Sequence, residues 1–251
     1  MLEIQGLSVG YAKRTVLQNL SVSFELGKLT SIIGPNGSGK TTLIKAAAGL
    51  ITPRTGTVTV GGKPLSAYKR NEVARQIAYL AQIHESVSMT VENLVLHGRF
   101  PYLHYPHSYS GEDRIMASAA MERVGISHLA EEPVATLSGG MRQAAYIAMA
   151  LARNTPYILL DEPTTFLDVS HQIALMELLR SLADENRCVV AVLHDLPLAL
   201  SFSDHVAVLA EGQIAAQGTP PCIAQSGTME NVFGISITED REGTFCCRLK
   251  K

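Results

Sequence analysis

Gly34-Pro35-Asn36-Gly37-Ser38-Gly39-Lys40-Thr41 fits the pattern GxxxxGK[ST]. Glycines at those places let the backbone wrap closely, so consecutive N–H groups point at phosphate oxygens. Lys40 would reach the outer phosphates of a nucleotide, and the Thr41 hydroxyl would ligate Mg²⁺. Thr42 completes this candidate phosphate-binding set. A glycine-rich surface turn also fits the spacing. The motif requires a strand before it and a helix after it. Residues 29–34 (LTSIIG) read as the strand, and TTLIKAAAGL reads as a helix whose N-terminal dipole favours the same anion.

A second constellation is Asp161-Glu162, at the end of the apolar run YILLD. A parallel strand buried on both faces delivers the residues at its carboxyl end to a ligand crevice. Asp161 would complete the Mg²⁺ site. Glu162 lies one residue on, faces another way, and can act as general base on an attacking water. Taken alone, the two acids could instead cap a helix, because a proline follows them. No NKxD-like guanine motif is present, which argues against a GTPase. An acid pair on a buried strand is also unusual for a small-molecule kinase.

The surrounding pattern supplies elements to hold these residues. Residues 2–8 and 16–24 alternate like strands of a half-buried antiparallel sheet. Residues 56–62 and 76–80 read as further strands. Residues 157–161 and 188–194 are continuous apolar runs, and 206–217 reads as a hairpin turning at Glu211-Gly212. Residues 91–99, 112–124 and 139–153 carry helical spacing. The fold class expected is α/β: a mixed sheet core with an antiparallel β subdomain and an inserted helical subdomain. Residues 1–251 then form one domain, with 1–84 and 154–251 as the nucleotide-binding core and 85–153 as the helical subdomain. Linkers are expected at residues 100–110 and at Asn154-Thr155-Pro156.

The 251 residues are 46% hydrophobic and 18% charged, enough to bury a sizeable core. Lys+Arg is 21 and Asp+Glu is 23, a formal charge of −2 that argues against a nucleic-acid partner. A local phosphate site built from backbone N–H groups is not excluded. Cys188, Cys222, Cys246 and Cys247 form no CxxC pair and read as reduced thiols. The longest stretch without Asp, Glu, Lys or Arg, residues 212–229, is broken by Gly218, Pro220 and Pro221. It cannot serve as a transmembrane helix of about 20 apolar residues. The N-terminus, with Glu3 and no basic-then-apolar order, does not read as a signal peptide. Work at a membrane would go through a partner.

Leu137-Ser138-Gly139-Gly140-Met141-Arg142-Gln143 precedes the acid strand and opens a helix, a second anion site in physical terms. At this motif the chain resembles the nucleotide-binding subunits of ABC transporters, and the phosphate loop then implies ATP with Mg²⁺. The resemblance implies that two copies meet head to tail and that LSGG of one closes over the ATP of the other. Ser138, Gly139 and Gly140 are then nucleotide-binding in trans. Tyr11 matches the aromatic that stacks on adenine. Gln82 matches the glutamine linking the metal site to the membrane partner. Asp168, in Thr165-Phe166-Leu167-Asp168, matches the dimer-interface aspartate, and His194 matches the switch histidine at the γ-phosphate. The resemblance thus implies a catalytic set of Glu162, His194, Lys40 and Gln82, and metal ligands Thr41, Gln82 and Asp161. Each has a plainer reading: a turn tyrosine, an exposed strand-end glutamine, a core histidine, a helix N-cap at Asp168. Only their joint order raises them together. Met141 departs from the family, which usually places a polar residue there. Its thioether bonds only weakly and packs on its own helix in the plainer reading.

Val95-Leu96-His97-Gly98-Arg99-Phe100-Pro101-Tyr102 resembles the segment of importer ATPases serving iron–siderophore, haem and cobalamin uptake. The resemblance implies integral-membrane permease subunits, an extracellular substrate-binding protein as an indirect partner, and a place on the cytoplasmic face of the membrane. A soluble assembly ATPase of the iron–sulfur cluster type, or an importer of zinc or manganese, is the alternative. A DNA-repair or translation-type relative would carry long coiled coils or two cassettes, and this chain has neither. His97, His104 and His107 could suggest a metal site. No cysteine or acid completes a ligand set, so a polar surface loop is the preferred reading.

Overall fold

The computed structural model describes all residues except 13, 83–86, 104–107, 241–244, 250 and 251. The chain opens with β1 (Leu2–Tyr11) and β2 (Arg14–Phe24), paired antiparallel. It continues through β3 (Lys28–Ile33), α1 (Lys40–Ala47), β4 (Thr55–Val60) and β5 (Lys63–Pro64). Then come α2 (Arg70–Gln76), β6 (Ile77–Leu80), α3 (Val91–His97), α4 (Gly111–Val124) and α5 (Gly139–Ala152). The second half holds β7 (Tyr157–Asp161), α6 (Val169–Asp184), β8 (Cys188–Val192), α7 (Leu196–Phe202), β9 (His205–Ala210) and β10 (Gln213–Gly218). The chain closes with α8 (Pro220–Gln225), α9 (Thr228–Phe233), β11 (Ile235–Glu239) and β12 (Phe245–Leu249).

Three sheets form. The antiparallel sheet runs β2-β1-β4-β5, and β11-β12 is a terminal pair. The central sheet has the order β10-β9-β3-β8-β7-β6. Its strands β9, β3, β8, β7 and β6 are parallel, and β10 joins antiparallel through the hairpin turn at Glu211-Gly212. The expected mixed sheet is therefore present, with an antiparallel sheet and helices packed on it.

The continuous apolar runs have a direct cause. Side chains alternate across a strand, and here both faces are covered. Ile32, Leu159, Val190 and Val192 face one side, where they meet Leu43 and Ile44 of α1 and Leu2, Ile4 and Phe24 of the antiparallel sheet. Leu29, Ile33, Ile158, Leu160, Val189 and Ala191 face the other. On that side they share one apolar cluster with Leu94 and Val95 of α3, Met121 of α4 and Ala148 of α5. The helices of residues 85–153 thus complete the core of the sheet and do not close one of their own.

Several readings change at their edges. Gln76 ends α2 and does not open a strand; β6 begins at Ile77. Gly34 and Arg153 lie just outside β3 and α5. The helix α2 is short and has no buried residue, so it leaves no apolar periodicity to read.

The segment after α3 acts as a clamp. Arg99 and Asp113 are both buried, and Arg99 Nε meets Asp113 Oδ1 at 2.9 Å. Arg99 Nη1 donates to the Ala152 carbonyl at 3.1 Å, capping the end of α5. The other Asp113 oxygen accepts from the Ser110 N–H at 3.0 Å and from its hydroxyl at 2.8 Å, fixing the start of α4. The Arg99 guanidinium lies 4.1 Å from the Tyr102 ring centroid, and the Tyr102 hydroxyl donates to the Arg153 carbonyl at 3.0 Å. Gly98 approaches so closely that a Cβ there would lie 2.1 Å from the Met149 carbonyl oxygen. Breaking a buried pair leaves an uncompensated charge. Arg99→Met is therefore expected to lower unfolding stability by about 3–5 kcal/mol, read by urea denaturation. A loss within 0.5 kcal/mol, about the effect of a surface substitution, would refute the clamp.

Candidate active site on the strand ends

The four central strands β3, β8, β7 and β6 are consecutive neighbours, all pointing the same way. Whatever follows each strand must therefore collect at one edge of the sheet. Gly34 to Thr41 follow β3, His194 follows β8, Asp161 ends β7 with Glu162 directly after it, and Gln82 follows β6.

The loop after β3 needs its glycines. A Cβ at Gly34 would lie 2.1 Å from the Leu209 carbonyl oxygen, and Gly39 sits at φ +107. The N–H of Ser38 donates to the Pro35 carbonyl at 3.2 Å, closing the turn. Gly39 is the N-cap of α1 and has no side chain to cap it, which leaves first-turn N–H groups for an anion. Lys40 is buried, and its Nζ donates to the Gly34 carbonyl at 2.8 Å and the Pro35 carbonyl at 3.0 Å. Burial lowers its pKa below the ordinary lysine value, against the raising effect of Glu162 and Asp161.

Asp161 is buried at the end of β7. The Thr41 hydroxyl donates to its Oδ1 at 3.2 Å, and the Tyr79 hydroxyl donates to its Oδ2 at 3.3 Å. Burial raises the Asp161 pKa, and these two bonds work against that rise. Glu162 sits at φ +53, a left-handed conformation uncommon for a side-chain-bearing residue. Its carboxylate is engaged at both oxygens. Gln82 Nε2 donates to Oε2 at 2.8 Å, and His194 Nε2 lies 2.7 Å from Oε1. Thr41 is thus bonded to Asp161, Gln82 and His194 to Glu162, and Lys40 is coupled electrostatically to both acids.

A cavity of about 750 Å³ opens beside this cluster. Tyr11, Asn36, Gly37, Gly39, Lys40, Thr41, Thr42 and Glu162 line it. Tyr11 is half exposed at its rim. Gly34, Pro35 and Ser38 of the loop are not in the cavity lining, nor are Gln82, Asp161 and His194, and the buried Ser38 hydroxyl has no partner among the described residues. The sequence reading missed the opposite wall, made by Arg14, Val16, Gln18, Glu211 and Gly212. The β9–β10 turn docks there: the Gln18 N–H donates to the Gly212 carbonyl at 3.1 Å. A Cβ at Gly212 would lie 2.2 Å from the Val16 carbonyl oxygen, so that glycine was the available signal.

Ser138, Gly139, Gly140 and Asp168 do not line the cavity. Ser138 is the N-cap of α5, its hydroxyl accepting from the Met141 N–H at 3.3 Å. Met141 is 45% exposed. Gly139 and Gly140 abut Phe166 and Leu167, and Gln143 Nε2 donates to the Pro163 carbonyl at 3.0 Å. Asp168 is the N-cap of α6 and accepts from the His171 N–H at 2.9 Å. That bond and the His171 and Ser170 side-chain bonds lower its pKa to about 2. The plainer N-cap reading of Asp168 therefore holds for the isolated chain.

His97 Nδ1 pairs with the Asn93 carbonyl at 2.8 Å, while His104 and His107 lie outside the described residues. Among the described residues no cluster of three or more His, Cys, Asp or Glu could hold a metal, and no helix is long and apolar enough to cross a membrane.

The chain is similar to known proteins. The ferric enterobactin transport ATP-binding protein FepC of Escherichia coli (strain K12) is 45% identical over 231 residues, 91% of this chain and 85% of that protein. The iron(3+)-hydroxamate import ATP-binding protein FhuC of Bacillus subtilis (strain 168) is 36% identical over 251 residues, 98% of this chain and 93% of that protein. Among solved structures, the dimeric bacterial ABC transporter cassette MJ0796 superposes with a TM-score of 0.78 at 28% identity, covering 88% of this chain and 99% of that one. Residues 17–165 match the ABC transporter family. The match carries the phosphate loop, the LSGG segment and both acids of β7, and the chain accordingly belongs to the ABC transporter family as an ATP-binding cassette.

Proposed function

We propose that this chain is the ATP-hydrolysing subunit of an importer for an iron–siderophore complex, working through a separate permease. The observation that carries this is the cluster in which Gln82 and His194 hold the Glu162 carboxylate beside Lys40, Thr41 and Asp161. The identity to FepC and FhuC, both named for iron transport, supports the cargo class. The permease and, indirectly, an extracellular substrate-binding protein are the partners on this reading, and the cytoplasmic face of the membrane is its place. Residues 1–251 act as one ABC ATPase domain, with 1–84 and 154–251 as nucleotide-binding core and 85–153 as helical part.

The reaction is ATP + H₂O → ADP + phosphate. The loop N–H groups and Lys40 hold the phosphates and oppose the negative charge of the transition state. Tyr11 stacks on the adenine at the rim. Glu162 takes the proton of the attacking water, since each carboxylate oxygen keeps a lone pair beyond the one bond it already accepts. His194, now on Glu162 Oε1, is the histidine that would turn to the γ-phosphate in the switch role the resemblance implies. The Thr41 hydroxyl, the Asp161 carboxylate and the Gln82 amide are oxygen donors, a set that suits Mg²⁺. Mg²⁺, when bound there, neutralises charge on the phosphate oxygens. Ser138, Gly139, Gly140 and Asp168 complete the site of a second copy in a head-to-tail pair. The likeness to the dimeric ABC transporter cassette MJ0796 supports that arrangement.

Glu162→Gln is expected to bind ATP with unchanged affinity and to lose about 10²–10⁴-fold in turnover, measured as phosphate release. Near-normal turnover would remove Glu162 from the role.

Tagged Glu162→Gln protein, held with Mg-ATP in solubilised membranes, is expected to retain a polytopic permease, identified by mass spectrometry. The binding protein that serves that permease is then expected to take ferric siderophores in preference to haem or cobalamin. Recovery of soluble partners alone, with an intact detergent control, would favour an assembly ATPase instead.

A further inference from the structure

Asp161 receives one hydrogen bond on each carboxylate oxygen, from Thr41 on Oδ1 and from Tyr79 on Oδ2. Thr41 belongs to the phosphate loop. Tyr79 belongs to no motif. Its place is set by register: on β6 it pairs with Leu159 of β7, two residues before Asp161. Residues two apart on a strand share a face, so Tyr79 and Asp161 lie on the same side of the sheet as diagonal neighbours. The Tyr79 ring is half buried and forms part of the wall of a separate cleft, with Leu50, Ile51, Val73 and Arg153. Its stem is thus packed from outside the active site while its hydroxyl reaches in.

We propose that Tyr79 is a positioning residue for Asp161: its hydroxyl fixes Oδ2, so that Oδ1 and the Thr41 hydroxyl face the same metal point. A carboxylate with a single donor can turn about its Cβ–Cγ bond. Donors on both oxygens fix its plane. A phenol suits this task because it donates a proton without adding a charge that would compete with the cation. Partners that orient a metal ligand from behind typically contribute 10–100-fold in metal affinity or activity. The inference rests on the reading of Thr41 and Asp161 as metal-holding residues.

The test measures binding and no turnover. The affinity of the full chain for AMP-PNP is determined by calorimetry with excess Mg²⁺ and again in EDTA, and the ratio of the two dissociation constants reads the contribution of the metal. Tyr79→Phe is expected to shrink that ratio about tenfold while the affinity in EDTA stays unchanged. Tyr79→Leu, which removes the hydroxyl with a different packing body, should shrink it equally. Thr41→Ala, measured in parallel, tests the metal site itself. A ratio unchanged in both Tyr79 variants but reduced in Thr41→Ala overturns the proposal and leaves the metal site standing. A ratio unchanged in all three overturns both. Equal weakening in Mg²⁺ and in EDTA makes Tyr79 a packing residue and also overturns the proposal.

Discussion

Everything in this molecule depends on four parallel strands lying side by side in the order β3-β8-β7-β6. Parallel pairing in register brings the carboxyl ends of strands from residues 28 to 192 to one line. Such a sheet persists only if both faces are covered, because each strand is apolar on both. The antiparallel sheet with α1 covers one face, and α3, α4, α5 and α6 contribute to the cluster that covers the other. The covering layers therefore exist for the sake of the strand ends. The Arg99–Asp113 clamp belongs to this logic, because it fixes the end of α5 and the start of α4 over the sheet.

The strand ends bring together charges that burial disfavours. Lys40 and Asp161 are each pushed by burial toward their neutral form, in opposite directions on the pH scale. What keeps them is mutual: the two acids raise the Lys40 pKa, and the Thr41 and Tyr79 hydroxyls lower that of Asp161. Glu162 adds a different device. Its left-handed backbone is a local cost, met by two short bonds on its carboxylate and by the tight fold of the loop that follows. In the isolated chain both of its oxygens are engaged. The carboxylate still lines the cavity, and each oxygen keeps a lone pair for a water.

Much of this was legible in the sequence because the signals are local. GxxxxGK[ST] is a contiguous loop, the apolar run of β7 ends in its acids, and the hairpin turn at Glu211-Gly212 shows as a glycine after an acid. What escaped is what register and packing decide. Tyr79 reaches Asp161 across 82 residues of chain, and nothing in its neighbourhood marks that. The docking of Gly212 on Val16, both in the lining of the cavity, is likewise a contact between distant segments. The helix α2 was hidden because it buries nothing, and a helix without an apolar stripe carries no period. Gln76 was assigned to the strand for the same reason: only the buried Ile77 marks where β6 begins.

The LSGG segment and Asp168 show why a motif can be correctly found and still be incomplete. Both sit at helix starts, and in each the polar side chain caps its own helix. Both gather at the loop of residues 164–168, away from the cavity that holds Lys40. A capped helix start is a finished local structure, so these residues are stable without a ligand. Their N-terminal dipoles still favour an anion. Phe166, Val169 and Ile173 leave an apolar surface beside them, 63%, 71% and 40% exposed. Met141, 45% exposed, adds a thioether where the family usually has a polar side chain. On the proposed reading, association of two copies in this chain draws more on apolar contact and less on hydrogen bonding at position 141. An apolar contact is non-directional and tolerates small changes of geometry. That is the property an interface needs if it is to open and close once per ATP.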